Sequence, residues 1–249
     1  MYSEFTIEGR NAVLEAFRSK RSIDSLLIQE GARENALGTI LKEAKAHAEC
    51  RIRFVKKEKL DAMSETGKHQ GVVAVCAAYD YTEIDDILKR AEEKNEPPFL
   101  ILLDGIEDPH NLGAIIRTAN LAGAHGVVIR EDRAVNLTAT VAKASAGAIN
   151  YTPVAKVTNM TETIKKLKNA GMWFVCADMG GETMYQLDLK GAIGLVIGNE
   201  GKGVSQLVKK NCDMIASIPM KGDIDSLNAS VATGVLAFEI VRQRLVGKR

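Results

Sequence analysis

Three short stretches of this 249-residue chain carry residue types that can do chemistry. The first, IEDPHNLGAIIRTANLAGAHG from Ile106 to Gly126, leaves Arg117 as the one formally charged residue between Pro109 and Ile129. An arginine alone among Ala, Ile, Leu and Gly is costly to bury unless an anion or a set of carbonyls meets it. Its planar fork suits a phosphate. The plain alternative is a side chain that reaches solvent or a distant carboxylate. Pro109 forces an extended turn, and Asn111 is expected to cap a helix beginning at Leu112. The second stretch, GNEGKGVS from Gly198 to Ser205, has Gly198, Gly201 and Gly203 close together, so backbone can approach a ligand and leave amides free to donate. It matches neither a GxGxxG dinucleotide fingerprint nor a P-loop. Glu200 within it either caps the next helix or positions a substrate group. The third, IPMKGDIDSLNASVATGVLAFE from Ile218 to Glu239, crowds Ser226, Asn228 and Ser230 at the start of the last helix, where a simple N-cap needs one of them. The surplus beside Leu227 points to hydrogen bonds with a ligand. Pro219 has no amide proton, so Ile218 and Met220 carry the backbone groups a heterocycle would meet.

These stretches need elements to hold them. From Phe99 onward, FLILLDG, GVVIR, YTPVAK, MWFVCAD, AIGLVIG and MIASIPM are apolar runs of strand length, separated by helical patterns over 111–123, 136–146, 159–170 and about 229–246. Continuous apolar strands alternating with helices predict an α/β domain whose parallel sheet is covered on both faces. In such sheets ligands bind beyond the carboxyl ends of the strands, where all three stretches fall. The last helix ends in Arg242, Arg244, Lys248 and Arg249, which suit a helix C-terminus. Residues 1–80 read as a smaller α/β unit: helices over Arg10–Phe17 and Asn35–His47, strands over Ile23–Ile28, Ile52–Val55 and Gly71–Ala77. Residues 81–98 form an acidic linker helix stopped by Pro97-Pro98, which leaves a larger domain over 99–249.

The composition narrows the function classes. A formal net charge of +1 excludes a protein that holds nucleic acid by bulk charge, and 46% apolar residues exclude a disordered chain. Within that neutral total, residues 51–59 (RIRFVKKEK) place five bases and one acid around Phe54, a patch for phosphate. The longest run free of charge, Ser226–Phe238, is thirteen residues, against the roughly 20 a membrane helix needs. Glu4, Glu8 and Arg10 stand where a signal peptide would be apolar, so a cytoplasmic protein is expected. Cys50, Cys76, Cys176 and Cys212 show no paired spacing and read as reduced packing residues. His47, His69, His110 and His125 are scattered without ligand spacing, so no metal is expected. No GxSxG elbow is present.

Taken together, LDGIEDPHNLGAIIRTANLAGAHGVVI, IGNEGKGVS and IPMKGDIDSLNASVATGVLAFE resemble, in order and spacing, the three signature motifs of the SpoU family of RNA ribose 2′-O-methyltransferases, in the SPOUT superfamily. The first 80 residues are similar to the ribosomal-protein-like RNA-binding domain of its ribosomal-RNA branch, which modifies a guanosine of 23S rRNA. The resemblance implies S-adenosylmethionine as methyl donor, bound in bent form in a deep trefoil knot. By motif position it implies that Gly198, Ile218 and Leu227 hold this cofactor through main-chain groups. Asn111, Arg117, Glu200, Ser226 and Asn228 then line the reaction site, and that site forms across a homodimer interface. A tRNA substrate, or an RNA-binding protein without catalysis, are the alternatives; a nicotinamide dehydrogenase lacks its fingerprint here.

Overall fold

Short strands and helices sort into two sheets, one in each of two units. A computed structural model describes residues 5–18, 23–32, 34–46, 50–64, 66–76, 79–132, 134–223 and 226–246. The units are Met1–Asp80 with Asn136–Ala139, and Tyr81–Val135 with Thr140–Arg249. His47, Ala77, Lys248 and Arg249, which the sequence reading used, lie outside the described residues.

The first unit runs β1 (Phe5–Glu8), α1 (Arg10–Arg18), β2 (Ile23–Gln29), α2 (Glu34–Ala46), β3 (Arg51–Val55), α3 (Lys57–Met63) and β4 (Val72–Cys76). Its sheet has the order β1-β4-β2-β3, with β2 and β3 parallel and the other pairs antiparallel. Alternation along the strands splits the core in two. Leu26, Ile28, Val72 and Ala74 pack with Val13, Phe17, Leu37 and Ile40 of α1 and α2, while Leu27 and Val73 pack with Leu60 of α3. Two elements escaped the sequence reading. β1 is a four-residue edge strand, and α3 is mostly charged and buries Leu60 alone, so neither shows an apolar period.

The same alternation corrects the basic patch. On edge strand β3, Ile52 joins the α1–α2 core and Val55 the α3 core. Arg51 and Arg53 therefore share the face of Val55, and exposed Phe54 lies on the other. The bases of 51–59 do not encircle that ring.

The second unit runs α4 (Ile84–Glu93), β5 (Phe99–Asp104), α5 (Pro109–Leu121), β6 (Gly126–Arg130), α6 (Ala139–Ala144), β7 (Val154–Val157), α7 (Met160–Asn169), β8 (Trp173–Thr183), β9 (Ile193–Gly198), α8 (Gln206–Asn211), β10 (Met214–Ser217) and α9 (Ala229–Val246). Its six strands are all parallel, in the order β10-β8-β9-β5-β6-β7. This is the expected α/β sheet. Every residue of β5 is buried, as the unbroken apolar run required. Helix α4 packs onto this sheet: Ile87 is fully buried, and a Cβ on Gly126 would collide with its side chain.

Two boundaries differ from expectation. Helix α6 covers 139–144 instead of 136–146. Strand β8 runs on to Thr183, past its apolar part, because Glu182 and Thr183 pair with Ala216 and Ser217 of β10. Ladder hydrogen bonds extend a strand without leaving any hydropathy signal. None of the four cysteines is in a disulfide. Among the described residues no helix is long and apolar enough to cross a membrane, and no three His, Cys, Asp or Glu side chains are grouped to hold a metal.

Candidate active site

Strand order decides where the chemistry gathers. Successive strands run outward from β5 through β6 to β7, whereas β9 returns to β5's other side, so β5 and β9 meet where the winding reverses. Asp104 and Gly198, their last residues, are partners in the ladder. The loops after both strands therefore start side by side, and the loop after β10 leads to α9, which packs against α5.

The loop after β9 is tied down by two residues the sequence reading did not single out. Buried Asp104 accepts from Arg130 Nη1 at 3.0 Å and from the Ser205 amide at 2.8 Å. Asn199 donates to the Gly105 carbonyl at 2.9 Å, and its Oδ1 accepts from the Gly201 amide at 2.9 Å. Asn199 and Gly203 also exchange backbone hydrogen bonds of 3.1 and 2.8 Å, closing the loop. A Cβ on Gly198 would collide with the Gly203 backbone, so glycine is required there by close approach of chain to chain. An asparagine inside a glycine cluster, able to form an Asx-type turn, is the signal by which Asn199 could have been found. Asp104 looked like one more strand residue.

Asn111 from the first turn of α5, Glu200 from the loop after β9 and Asn228 from the loop before α9 meet on one oxygen. Glu200 Oε1 accepts from Asn111 Nδ2 at 2.5 Å and from Asn228 Nδ2 at 2.6 Å, and the two amides touch through Asn111 Oδ1 at 3.1 Å. Asn228 Oδ1 faces the other way, accepting from the Ser230 amide at 2.9 Å and the Ser230 hydroxyl at 2.6 Å. One side chain thus caps α9 and fixes the carboxylate. Glu200 Oε2 has no partner among the described residues, which leaves a preoriented acceptor at the surface.

Four expectations change here. Asn111 does not cap α5: the helix starts at Pro109, three residues before Leu112, with Asp108 Oδ1 accepting from the His110 amide at 3.1 Å. That shift places Asn111 in the first turn, where its side chain is free to reach Glu200. Glu200 caps nothing, since α8 begins at Gln206 after Ser205. Ser230 serves the cap instead of a ligand. Arg117 is exposed and has no hydrogen bond or ion pair among the described residues, so the cost of burying it does not arise. Six residues along an α-helix is about 9 Å of rise and roughly 120° of rotation. Arg117 therefore presents away from the Asn111 cluster.

Beside the cluster lies a cavity of about 440 Å³, lined by Gly198, Glu200, Ile218, Met220, Ser226 and Leu227 together with Ala177, Asp178 and Met179 from β8. Ala177, Met179, Ile218, Met220 and Leu227 share its walls with the polar side chains of Asp178, Asn199, Glu200, Lys202 and Ser226. Lys209 Nζ sits 2.8 Å from Asp178 Oδ2, and this hydrogen bond holds the Asp178 carboxyl below the usual carboxylate range. All three expected cofactor positions, and Glu200 and Ser226 of the reaction set, share this cavity. Arg117 is not among its lining residues.

Comparison with known proteins agrees in both units. Residues 6–82 match the family described as RNA 2′-O ribose methyltransferase substrate binding, and residues 98–238 match the SpoU rRNA Methylase family. A Bacillus subtilis (strain 168) protein, YacO, provisionally named a TrmH family tRNA/rRNA methyltransferase, is 49% identical over 95% of this chain and 94% of its own. Among solved structures, the SpoU methyltransferase AviRb from Streptomyces viridochromogenes in complex with AdoMet superposes with a TM-score of 0.62 at 25% identity, covering 98% of this chain and 91% of that one. AdoMet-bound rRNA methyltransferase from Sinorhizobium meliloti gives 0.60 at 26% identity, over 96% and 87%. Since the match over 98–238 spans more than half of the chain and contains Asn111, Gly198, Glu200 and Asn228, the protein belongs to the SpoU rRNA Methylase family.

Proposed function

We propose that the RNA methyltransferase activity of this family is directed here to the 2′-hydroxyl of a guanosine in 23S rRNA, with S-adenosylmethionine as donor, in a cytoplasmic homodimer. The observation that carries this reading is the joining of Asn111, Glu200 and Asn228 on one carboxylate oxygen at the rim of the Gly198–Ile218–Leu227 cavity. Residues 1–80 would capture RNA, 81–98 connect, and 99–249 carry the knotted catalytic domain.

The cavity fits the donor. Apolar Ile218, Met220 and Leu227 offer a slot for a flat heterocycle. The main chain beside Pro219 and Gly198 supplies hydrogen bonds, and the Glu200 carboxylate with the Lys202 ammonium suits a ligand that carries both cationic groups and a carboxylate. When bound, S-adenosylmethionine supplies a methyl group on a sulfonium. The chain's part is to orient and activate the hydroxyl. Ser226 and Asn228 position the ribose, and the free Oε2 of Glu200 accepts a hydrogen bond. A guanidinium is a poor base, so Arg117 acts by gripping phosphate and polarising the hydroxyl.

In one chain Arg117 turns away from this cluster, so a second copy has to deliver it. Val231, Phe238 and Leu245 are exposed at seven-residue spacing on α9, and Leu121 is exposed on neighbouring α5, an apolar stripe suited to a twofold interface. Complementation tests this. Arg117→Ala and Asn228→Ala homodimers are each expected to be inactive, and mixing them with subunit exchange should restore about a quarter of wild-type methylation, because half the dimers hold one intact site of two. No recovery on mixing would overturn the shared site. The RNA is tested separately by mass spectrometry of nucleosides from 23S rRNA and tRNA of a deletion strain. YacO's name covers both, and a lost 2′-O-methyl in tRNA alone would replace the rRNA reading.

A further inference from the structure

A second cavity, of about 640 Å³, lies wholly within the first unit, and the function above does not account for it. It opens at the carboxyl ends of the parallel strands β2 and β3. Its walls are Arg10, the first residue of α1, Lys57, the first of α3, Gln29, the last of β2, and the turn His69-Gln70-Gly71 before β4.

The turn is built and held. Gln70 and Gly71 take φ of 52° and 80°, the left-handed region that a side chain disfavours. Buried His69 accepts from the Gly71 amide at 3.0 Å through Nδ1, which leaves Nε2 to donate to Asp61 Oδ1 at 2.9 Å. Arg10 closes the other side: its amide donates to Gln70 Oε1 at 3.1 Å and its Nε to the Gln70 carbonyl at 3.2 Å. The guanidinium is thus oriented by Nε while both Nη groups lack partners among the described residues. Lys57 likewise makes no ion pair among them.

No carboxylate is among the described residues lining the cavity. Two acids of this unit are engaged elsewhere: Asp61 with His69, and Glu8 with the Ser64 hydroxyl and, at 2.8 Å, the Thr66 amide. Two unpaired cations beside a cavity free of acid attract an anion, and an oriented fork with a point charge beside it suits a phosphodiester. The Gln29 side-chain amide and Gln70 Nε2 have no partner among the described residues, and carboxamides can pair with a base edge. A cavity of this volume admits a whole nucleotide rather than a bare phosphate.

We propose that this cavity takes one nucleotide of the RNA substrate, other than the one methylated, with its phosphate between Arg10 and Lys57 and its base edge against Gln29 and Gln70. The proposal rests on the RNA methyltransferase reading above. Of the bases in 51–59 it keeps Lys57 and moves the place of capture away from Phe54.

The test uses the full chain with unmodified 23S rRNA and tRNA transcripts, in filter binding between about 50 and 200 mM salt. Lys57→Gln and Arg10→Gln are each expected to weaken binding of whichever transcript is methylated by five- to tenfold at ~0.1 M salt and to lower the salt slope by about 1. KM for RNA should rise by a similar factor, with S-adenosylmethionine affinity and kcat at saturating RNA unchanged. Lys57 has no partner to lose, so its variant keeps the proposal falsifiable if Arg10→Gln disturbs the turn. Wild-type Kd, slope and KM in Lys57→Gln would overturn the proposal, as would tight binding of free 5′-GMP by calorimetry that Lys57→Gln abolishes without touching RNA affinity. A wild-type protein that methylates neither transcript would instead overturn the function proposed above.

Discussion

The two units treat polar side chains in opposite ways. In the second, Asn111, Glu200 and Asn228 are bonded to one another, and Asp104 and Asn199 tie down the glycine loop beside them, so the groups proposed to line the reaction site are fixed before any substrate arrives. In the first, Arg10 and Lys57 stand at a cavity with charge unpaired. Preorganisation suits a transition state, where movement during reaction would cost rate. Unpaired surface cations suit capture of a polyanion, where counterion release supplies the free energy. The difference teaches that neutral overall charge and RNA chemistry are compatible when the charge is placed locally.

Substitutions can break that contrast or sharpen it. The largest effect is expected at Arg117. Arg117→Lys keeps the charge and loses the fork, and turnover in a tritium-transfer assay should fall about a hundredfold with S-adenosylmethionine and RNA affinities nearly intact. Near-normal methylation, or a loss confined to RNA affinity, would erase the division of labour between the units.

Next comes Asp104→Ala. It leaves Arg130 and the Ser205 amide without their buried acceptor, at a cost of about 3 kcal/mol in stability by denaturant unfolding. Because the same carboxylate holds the glycine loop, S-adenosylmethionine affinity should drop with it. A variant of normal affinity would show that the loop needs no anchor from β5.

The smallest expected effect is on pH dependence. His125 is buried, with Nδ1 accepting from the Phe99 amide at 3.0 Å, and burial pushes its pKa below the ordinary 6.5. Above that value both the folded and the unfolded chain carry it neutral. As pH falls below 6.5 the unfolded chain takes the proton first, so stability is lost until the folded value is passed. The melting temperature should therefore fall between pH 7.5 and pH 5, and fall less in His125→Asn, whose Oδ1 can still accept from Phe99. An identical pH profile in that variant would remove His125 from the account.

Much of the second unit was legible in the sequence because its signals are local. Six unbroken apolar runs marked six strands, and helical periods between them marked a parallel sheet. The glycines of GNEGKG, and the surplus polar groups before the last helix, marked two of the three loops. What failed was what depends on partners. The start of α5 was misplaced because Asn111 and Asp108 are both good caps, and only the position of Glu200 reveals which one is needed elsewhere. β8 outran its apolar run because β10 pairs with its polar half. α3 and β1 were missed because each buries too little to show a period.

The sequence by itself determined the α/β class, the strands of the large sheet and the family resemblance, and through that resemblance it proposed Asn111, Arg117, Gly198, Glu200, Ile218, Ser226, Leu227 and Asn228 as a candidate site. Hydropathy period and glycine spacing are properties of neighbouring residues, so they survive in one dimension. Only the tertiary structure decided that Asn111 and Asn228 share one oxygen of Glu200, that Arg117 faces away from them, and that Arg10 meets Lys57 across a cavity. Those relations join residues far apart in the chain, and they exist because β9 returns to the side of β5 and because β2 and β3 end together.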